Sequence, residues 1–235
     1  CPIIGMTSSN RGEGKSTTSI NLSYVLAESG KRVLLIDADL RVPSIAKKME
    51  IESTPGLTNL LMGQDAQDLS IFRSKVLNNW YILPSGELPP NPSELLGSSR
   101  MKALLDELKE CYDYIFLDSP PVNMVTDAVV LAPESDGILF LVRANQSERG
   151  PVIHAVEQLE YAKIKILGFV LNGVDMEKTH YGYKKYRYGR YLRYGRYGYG
   201  KYGYGRRGYS YGYSSTMPPA YVADHRPDEL RNEEE

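Results

Sequence analysis

Six short apolar runs punctuate the first 175 residues: Ile3–Met6, Val33–Ile36, Tyr81–Leu83, Tyr114–Leu117, Ile138–Val142 and Ile166–Leu171. They are nearly continuous in apolar character rather than alternating, which is the pattern of strands covered on both faces. Between them the period lengthens to that of amphipathic helices over Lys15–Ser29, Ser93–Glu110, Thr126–Ala132 and Pro151–Ala162. This alternation predicts βαβ units on a mostly parallel sheet with helices on both faces, an α/β fold. Gly30 follows the first helical stretch as a stop signal. Pro89, Pro90 and Pro92 predict a rigid loop over Leu88–Ser99, with Ser93 as the N-cap of the next helix.

After Asp175 the periodicity ends. Of the 19 tyrosines, 13 lie between Tyr181 and Tyr213, with 9 of the 21 glycines and with Leu192 as the one aliphatic residue. Such a segment cannot bury enough surface to offset chain entropy, so it is expected to be disordered. The reading is therefore a domain over 1–178, a Tyr/Gly/Arg-rich tail over 179–213, and an acidic, unstructured terminus over 214–235 ending in Glu233, Glu234 and Glu235. Charge divides the same way: the overall −1 pools −6, +9 and −4 for the three regions.

Hydrophobic residues make up 42% of the 235, enough for one sizeable core, but no stretch approaches the roughly 20 apolar residues of a membrane helix. Two cysteines, Cys1 and Cys111, and three histidines support neither a disulfide framework nor a zinc site, which favours a reducing, cytoplasmic setting. The chain opens on Cys1 without an initiator Met, and the expectation is that a segment upstream has been removed.

Gly12-Glu13-Gly14-Lys15-Ser16-Thr17 joins a predicted strand to a predicted helix, the setting of a phosphate-binding P-loop. Glycines let backbone N–H groups curl around a phosphate, Lys15 can reach β and γ oxygens from an exposed loop mouth, and the Ser16 hydroxyl can face magnesium. Ser9 stands where the full Walker pattern has glycine. The second strand ends on Asp37 and Asp39 and the fourth on Asp118, which brings three carboxylates to the sheet edge that carries the P-loop. Their repulsion would be relieved by a divalent cation, so a nucleotide and magnesium site is the dominant reading.

The P-loop, Leu34-Leu35-Ile36-Asp37-Ala38-Asp39-Leu40-Arg41, Phe116-Leu117-Asp118-Ser119-Pro120-Pro121 and a terminal tyrosine cluster, in that order, resemble the catalytic domain of bacterial tyrosine autokinases (BY-kinases) of capsule and exopolysaccharide synthesis. The Asp-x-Asp-x-Arg form separates that family from ParA and MinD ATPases, and Gly86–Leu96 is similar to its loop between the second and third motifs. The resemblance covers about residues 1 to 213 and implies a P-loop NTPase-like fold with ATP and Mg²⁺ as cofactors. It makes Lys15 the phosphate anchor among Gly12, Glu13, Gly14, Ser16 and Thr17, and puts Ser16, Asp39 and Asp118 on the magnesium side. Asp37 becomes either the acceptor of the tyrosine proton or a further metal-shell ligand. Asn172 is, by analogy with related ATPases, a base-contacting residue, or else a turn former before Gly173.

The acceptors implied are Tyr181, Tyr183, Tyr186, Tyr188, Tyr191, Tyr194, Tyr197, Tyr199, Tyr202, Tyr204, Tyr209, Tyr211 and Tyr213, modified chiefly between protomers. Implied partners are other copies of the chain, in a ring for the full-length protein, a transmembrane polysaccharide co-polymerase that activates the kinase at the inner face of the membrane, a protein-tyrosine phosphatase and tyrosine-bearing protein substrates. The family's Glu-x-x-Arg-x-x-Arg oligomerisation helix would lie upstream of residue 1. Two rival readings stand beside this one. Arg and Tyr interleaved with Gly is also the composition of single-strand nucleic-acid binders, although the neighbouring site argues against a nucleic-acid partner. A MinD-like or ParA-like ATPase switch would share the P-loop, but such proteins usually carry an early second lysine where this chain has Asn10.

Overall fold

The computed structural model describes residues 1–63, 71–74, 76–174 and, as backbone, 222–223. Eight strands form one sheet in the order β7-β6-β1-β5-β2-β4-β3-β8. They are β1 (Ile3–Ser8), β2 (Val33–Asp37), β3 (Phe72–Ser74), β4 (Trp80–Leu83), β5 (Tyr114–Asp118), β6 (Gly137–Arg143), β7 (Ile166–Asn172) and β8 (Val222–Ala223). All pairings from β7 across to β4 are parallel, and β3 adds antiparallel to β4. All six predicted strands are present, each within a residue or two of its apolar run. The acidic terminus, expected to be without structure, contributes β8, antiparallel to the open edge of β3. A β-branched valine followed by a small residue is one of the few places in 214–235 where such pairing is favoured. The tail 179–213, with all 13 candidate acceptor tyrosines, lies outside the described residues.

Helices cover both faces, as the continuous apolar strands require. On one face Leu34, Ile36 and Leu117 pack with Met101, Leu105 and Leu131, from α5 (Ser99–Cys111) and α6 (Asp127–Leu131). On the other, Leu35, Ile82 and Phe116 pack with Ile20 of α1 (Lys15–Glu28) and with Ile45 and Met49 of α2 (Ile45–Met49). The short α3 (Leu57–Leu61) and α4 (Pro92–Leu96) and the longer α7 (Arg149–Tyr161) complete the layers.

Two helix expectations are corrected. Ser93–Glu110 is not one helix: Ser98 leaves the helical region, caps α5 through its side chain to the Met101 N–H at 3.2 Å, and so separates α4 from α5. Ser93 is not an N-cap either. Asn91 holds that place and Pro92 takes the first helical position, where its missing N–H costs nothing. Gly30 does end α1, with a φ of 90° and its N–H on the Ala27 carbonyl.

Candidate functional site

β1 is central in the sheet, so the loop after it has β5 and β2 on one side and β6 and β7 on the other. The P-loop, residues 9–14, leaves the carboxyl end of β1 at this topological switch point and feeds α1. Gly12 and Gly14 hold φ values of 80° and 98°, which side chains disfavour. A Cβ on Gly14 would also run into the Asn172 amide. These two glycines are therefore required by backbone shape as well as by phosphate access.

The departure at Ser9 has a structural counterpart. Glu13, almost fully buried, accepts the Ser9 hydroxyl at 2.8 Å, the Asn10 N–H at 2.8 Å and the Ser147 hydroxyl from the loop after β6. Burial pushes the Glu13 carboxyl up, but the donors from Asn10, Ser147 and Ser9 outweigh it and hold it below its ordinary value. From the same side Arg143 Nη1 donates to the Gly12 carbonyl at 2.7 Å and Asn172 Nδ2 to the Glu13 carbonyl at 3.1 Å. The ends of β6 and β7 thus brace the loop. Asn172 Oδ1 also accepts the Gly173 N–H at 2.8 Å, so the turn-forming reading of Asn172 has a direct counterpart.

Lys15 does not sit at an exposed mouth: only 7% of its surface is accessible. Burial lowers the affinity of its amine for a proton, and Asp118, Asp39 and Glu13 oppose that shift. The expectation of exposure overlooked that a lysine on the first turn of α1 lies over the ends of β1 and β5, where the carboxylates converge.

On the other side of the loop, Asp37 and Asp118 are register partners at the ends of β2 and β5. Both are buried, and burial together with neighbouring carboxylates raises the proton affinity of each. Asp37 Oδ2 accepts the N–H groups of Ser44 and Ile45 at 3.1 and 3.0 Å; Oδ1 has only the Asp39 N–H at 3.3 Å. Asp118 Oδ1 accepts the Ser19 hydroxyl at 3.0 Å, whereas its Oδ2 is buried and has no hydrogen-bond partner among the described residues; the nearby Ser16 hydroxyl and Lys15 amine oppose the shift that burial causes. Asp39 is only half-buried; burial raises its proton affinity, and its Oδ1 accepts the Val42 N–H at 3.0 Å.

Magnesium suits this arrangement. The orphaned Asp118 Oδ2 is an acceptor without a donor, as a cation site requires. Among the described residues no three acidic, His or Cys side chains form a metal cluster by themselves.

Four residues of the site carry no motif of their own. Ser44 donates its hydroxyl to Ser16 at 2.8 Å and its N–H to Asp37, so it joins two motif residues. A serine just before the apolar Ile45-Ala46 is a helix-start signal that could have marked it. Ser19 and Ser147 sit at no special spacing. Arg143, the last residue of β6, is legible only as a charge after an apolar run.

The domain model described as "AAA domain" matches residues 1–166. The chain is 40% identical to the tyrosine-protein kinase YwqD of Bacillus subtilis over 179 residues, covering 76% of this chain and 75% of that one. It is 37% identical to the tyrosine-protein kinase CpsD of Streptococcus agalactiae, over 80% of this chain and 81% of the relative. Among solved structures, the kinase domain of the Escherichia coli tyrosine kinase ETK superposes with a TM-score of 0.70 at 30% identity, covering 85% of this chain and 72% of that one. A P-loop, two strand-end carboxylates with Asp39 just beyond them, and this kinship lead to one assignment: the chain belongs to the bacterial tyrosine-protein kinases, within the AAA-domain family.

Proposed function

We propose that this site transfers the γ-phosphoryl group of ATP, in the presence of Mg²⁺, to the tyrosines of 179–213. The observation that carries the reading is the convergence of Lys15, Asp37, Asp39 and Asp118 at one sheet edge, with the buried Asp118 Oδ2 left without a donor. Ser16, Asp39 and Asp118 are the residues that would hold magnesium; when bound, the ion neutralises charge on the β and γ oxygens. The P-loop N–H groups and Lys15 orient the triphosphate. In the transfer the bond from the γ-phosphorus to the ADP oxygen breaks, a bond to the tyrosine oxygen forms, and the tyrosine proton passes to a carboxylate. Asp37 suits that last role by position: it ends β2 beside Asp118, and among the described residues its Oδ1 is held by a single long hydrogen bond from the Asp39 N–H. Positioning and charge neutralisation do most of the work.

The wider setting follows the same reading. Acceptor tyrosines are served chiefly in trans within a homo-oligomer, a transmembrane polysaccharide co-polymerase activates the kinase at the inner membrane face, and a phosphatase resets the tail, in the service of capsule or exopolysaccharide export. Exogenous tyrosine proteins are further substrates. Among the described residues no helix is long and apolar enough to cross a membrane. Supporting this setting is the order of motifs along the chain.

The test separates roles within the site. Asp118→Asn and Asp39→Asn should weaken magnesium-dependent nucleotide binding, while Asp37→Asn should keep that affinity and lose phosphotyrosine formation. Equal loss of affinity in all three variants would remove the proton-accepting role from Asp37.

A further inference from the structure

Arg41 closes the second motif, and its guanidinium points away from the P-loop. Its Nε and Nη2 donate to Asp127 Oδ2 and Oδ1 at 2.8 and 3.0 Å, a two-pronged ion pair. Asp127 opens α6, just after the segment that follows Asp118, and is fully buried. The same Asp127 Oδ1 accepts the hydroxyl of Ser93 of α4 at 2.5 Å, and Ser93 Oγ is also within 3.3 Å of Arg41 Nη2. Three segments far apart in sequence therefore meet on one buried carboxylate: the loop after β2, the end of the proline-rich loop, and the start of α6.

The loop after β2 is tied at its ends by the Ala38 N–H on the Asp118 carbonyl and by the Ser44 hydroxyl on Ser16; between them its hydrogen bonds are local, from Asp39 N–H to Asp37 and from Val42 N–H to Asp39. Leu40 adds an apolar tie into the core beside Leu96 and Leu131. Packing of Leu40 fixes the depth of the loop but not its rotation, whereas a planar fork on a fixed carboxylate fixes orientation. Asp39 immediately precedes the two ties, one residue before Leu40 and two before Arg41. The carboxylate of the pair is fully buried while the Arg41 side chain is 39% exposed, so the fork anchors a surface loop to the interior.

We propose that Arg41, Asp127 and Ser93 form a clasp that sets the position of Asp39, with Arg41 as a positioning residue for the magnesium-nucleotide site. The proposal rests on the reading of Asp39 as a magnesium-side residue. It makes Ser93 and Asp127 part of the working site although neither lies on a phosphate-binding motif. It also gives the proline-rich loop a task, which is to deliver Ser93 to the clasp.

The test measures binding of a fluorescent ATP analogue as magnesium is titrated, which requires no phosphotransfer, together with thermal unfolding of each variant. Asp39→Asn sets the reference shift. Arg41→Ala and Arg41→Lys should raise the magnesium concentration needed for half-maximal binding by about tenfold or more, the range seen when outer supports of metal ligands are removed. Arg41→Ala leaves a buried unpaired carboxylate and so should also unfold at a lower temperature. The double variant Arg41→Met/Asp127→Asn removes that charge, and it should recover thermal stability without recovering the magnesium requirement. A double variant with the wild-type magnesium requirement would overturn the clasp, as would an Asp39→Asn chain that shows no shift. Phosphotyrosine formation is scored separately, so a chain that binds nucleotide as expected but phosphorylates nothing would count against the kinase reading and leave the clasp standing.

Discussion

Asp37 and Asp118 end neighbouring parallel strands in register, so two carboxylates lie side by side in the interior of the sheet edge. Lys15 opposes the shift at Asp118, yet both acids hold protons more tightly than a free carboxyl does. The native state therefore binds more protons than the unfolded chain above the ordinary carboxyl value of 3.8, and stability falls as pH rises from there towards neutrality. Asp118→Asn removes part of this cost. We expect it to be more stable than the wild type at pH 8 by on the order of 2 kcal/mol, with a higher unfolding temperature, and to show little difference near pH 4. Parallel unfolding curves across that range would contradict the account.

Glu13 behaves with the opposite sign. Its proton affinity is lowered, so its contribution is present above the ordinary carboxyl value and is lost as pH falls through the depressed one. Glu13→Gln places an amide N–H₂ against the Ser9, Asn10 and Ser147 donors. It should cost about 1–3 kcal/mol of stability and weaken nucleotide binding several-fold by loosening the P-loop. Equilibrium unfolding and nucleotide titration check both halves of this prediction. Unchanged nucleotide affinity would mean that the brace from β6 is not needed to shape the loop.

Transfer between protomers can be read by mixing two chains. A Lys15→Met chain that retains its tail, incubated with an active chain deleted from residue 179 onward, should become labelled on its tyrosines. Label that appears only in the intact active chain on its own, and never on the dead partner, would indicate transfer within one protomer.

The tail's charge predicts a switch. Nine basic and no acidic residues over 179–213 stand against −6 for 1–178, so the unmodified tail is drawn to acidic surfaces. Each phosphotyrosine adds roughly −1.5 to −2 charges, and about five or six cancel the tail's charge. Oligomer mass, followed by light scattering as phosphate count rises, should fall beyond that number, and the attraction should weaken at ionic strengths where the Debye length is below about 8 Å. An oligomer of constant mass at full phosphorylation would rule the switch out.

How much of this was legible in the chain depends on what each element is made of. The six parallel strands announce themselves because a strand covered on both faces must be apolar at nearly every position. β3, Phe72-Arg73-Ser74, did not, because three residues with a charged one in the middle form no apolar run. The five-residue α2 and α3 were also missed; each is too short to show a helical period and is held by packing and by Asp37 on the first N–H groups of α2. In the site, the motif residues were readable because phosphate and cation chemistry restricts residue type and spacing. Ser93, Asp127 and Ser147 were not, since their roles arise from contacts between segments 34 and more positions apart. The exposure expected of Lys15 was wrong: its spacing on α1 sets what it reaches, while the depth of the cleft is a property of the folded sheet edge.

The measurement that bears most directly on the central claim is site mapping of phosphotyrosine by mass spectrometry after incubation of the purified chain with ATP and Mg²⁺, with Lys15→Met as control. The account predicts phosphate on tyrosines between Tyr181 and Tyr213, none without magnesium and none in the Lys15→Met chain. Hydrolysis of ATP without any phosphotyrosine, or phosphotyrosine that persists in the Lys15→Met chain, would contradict it.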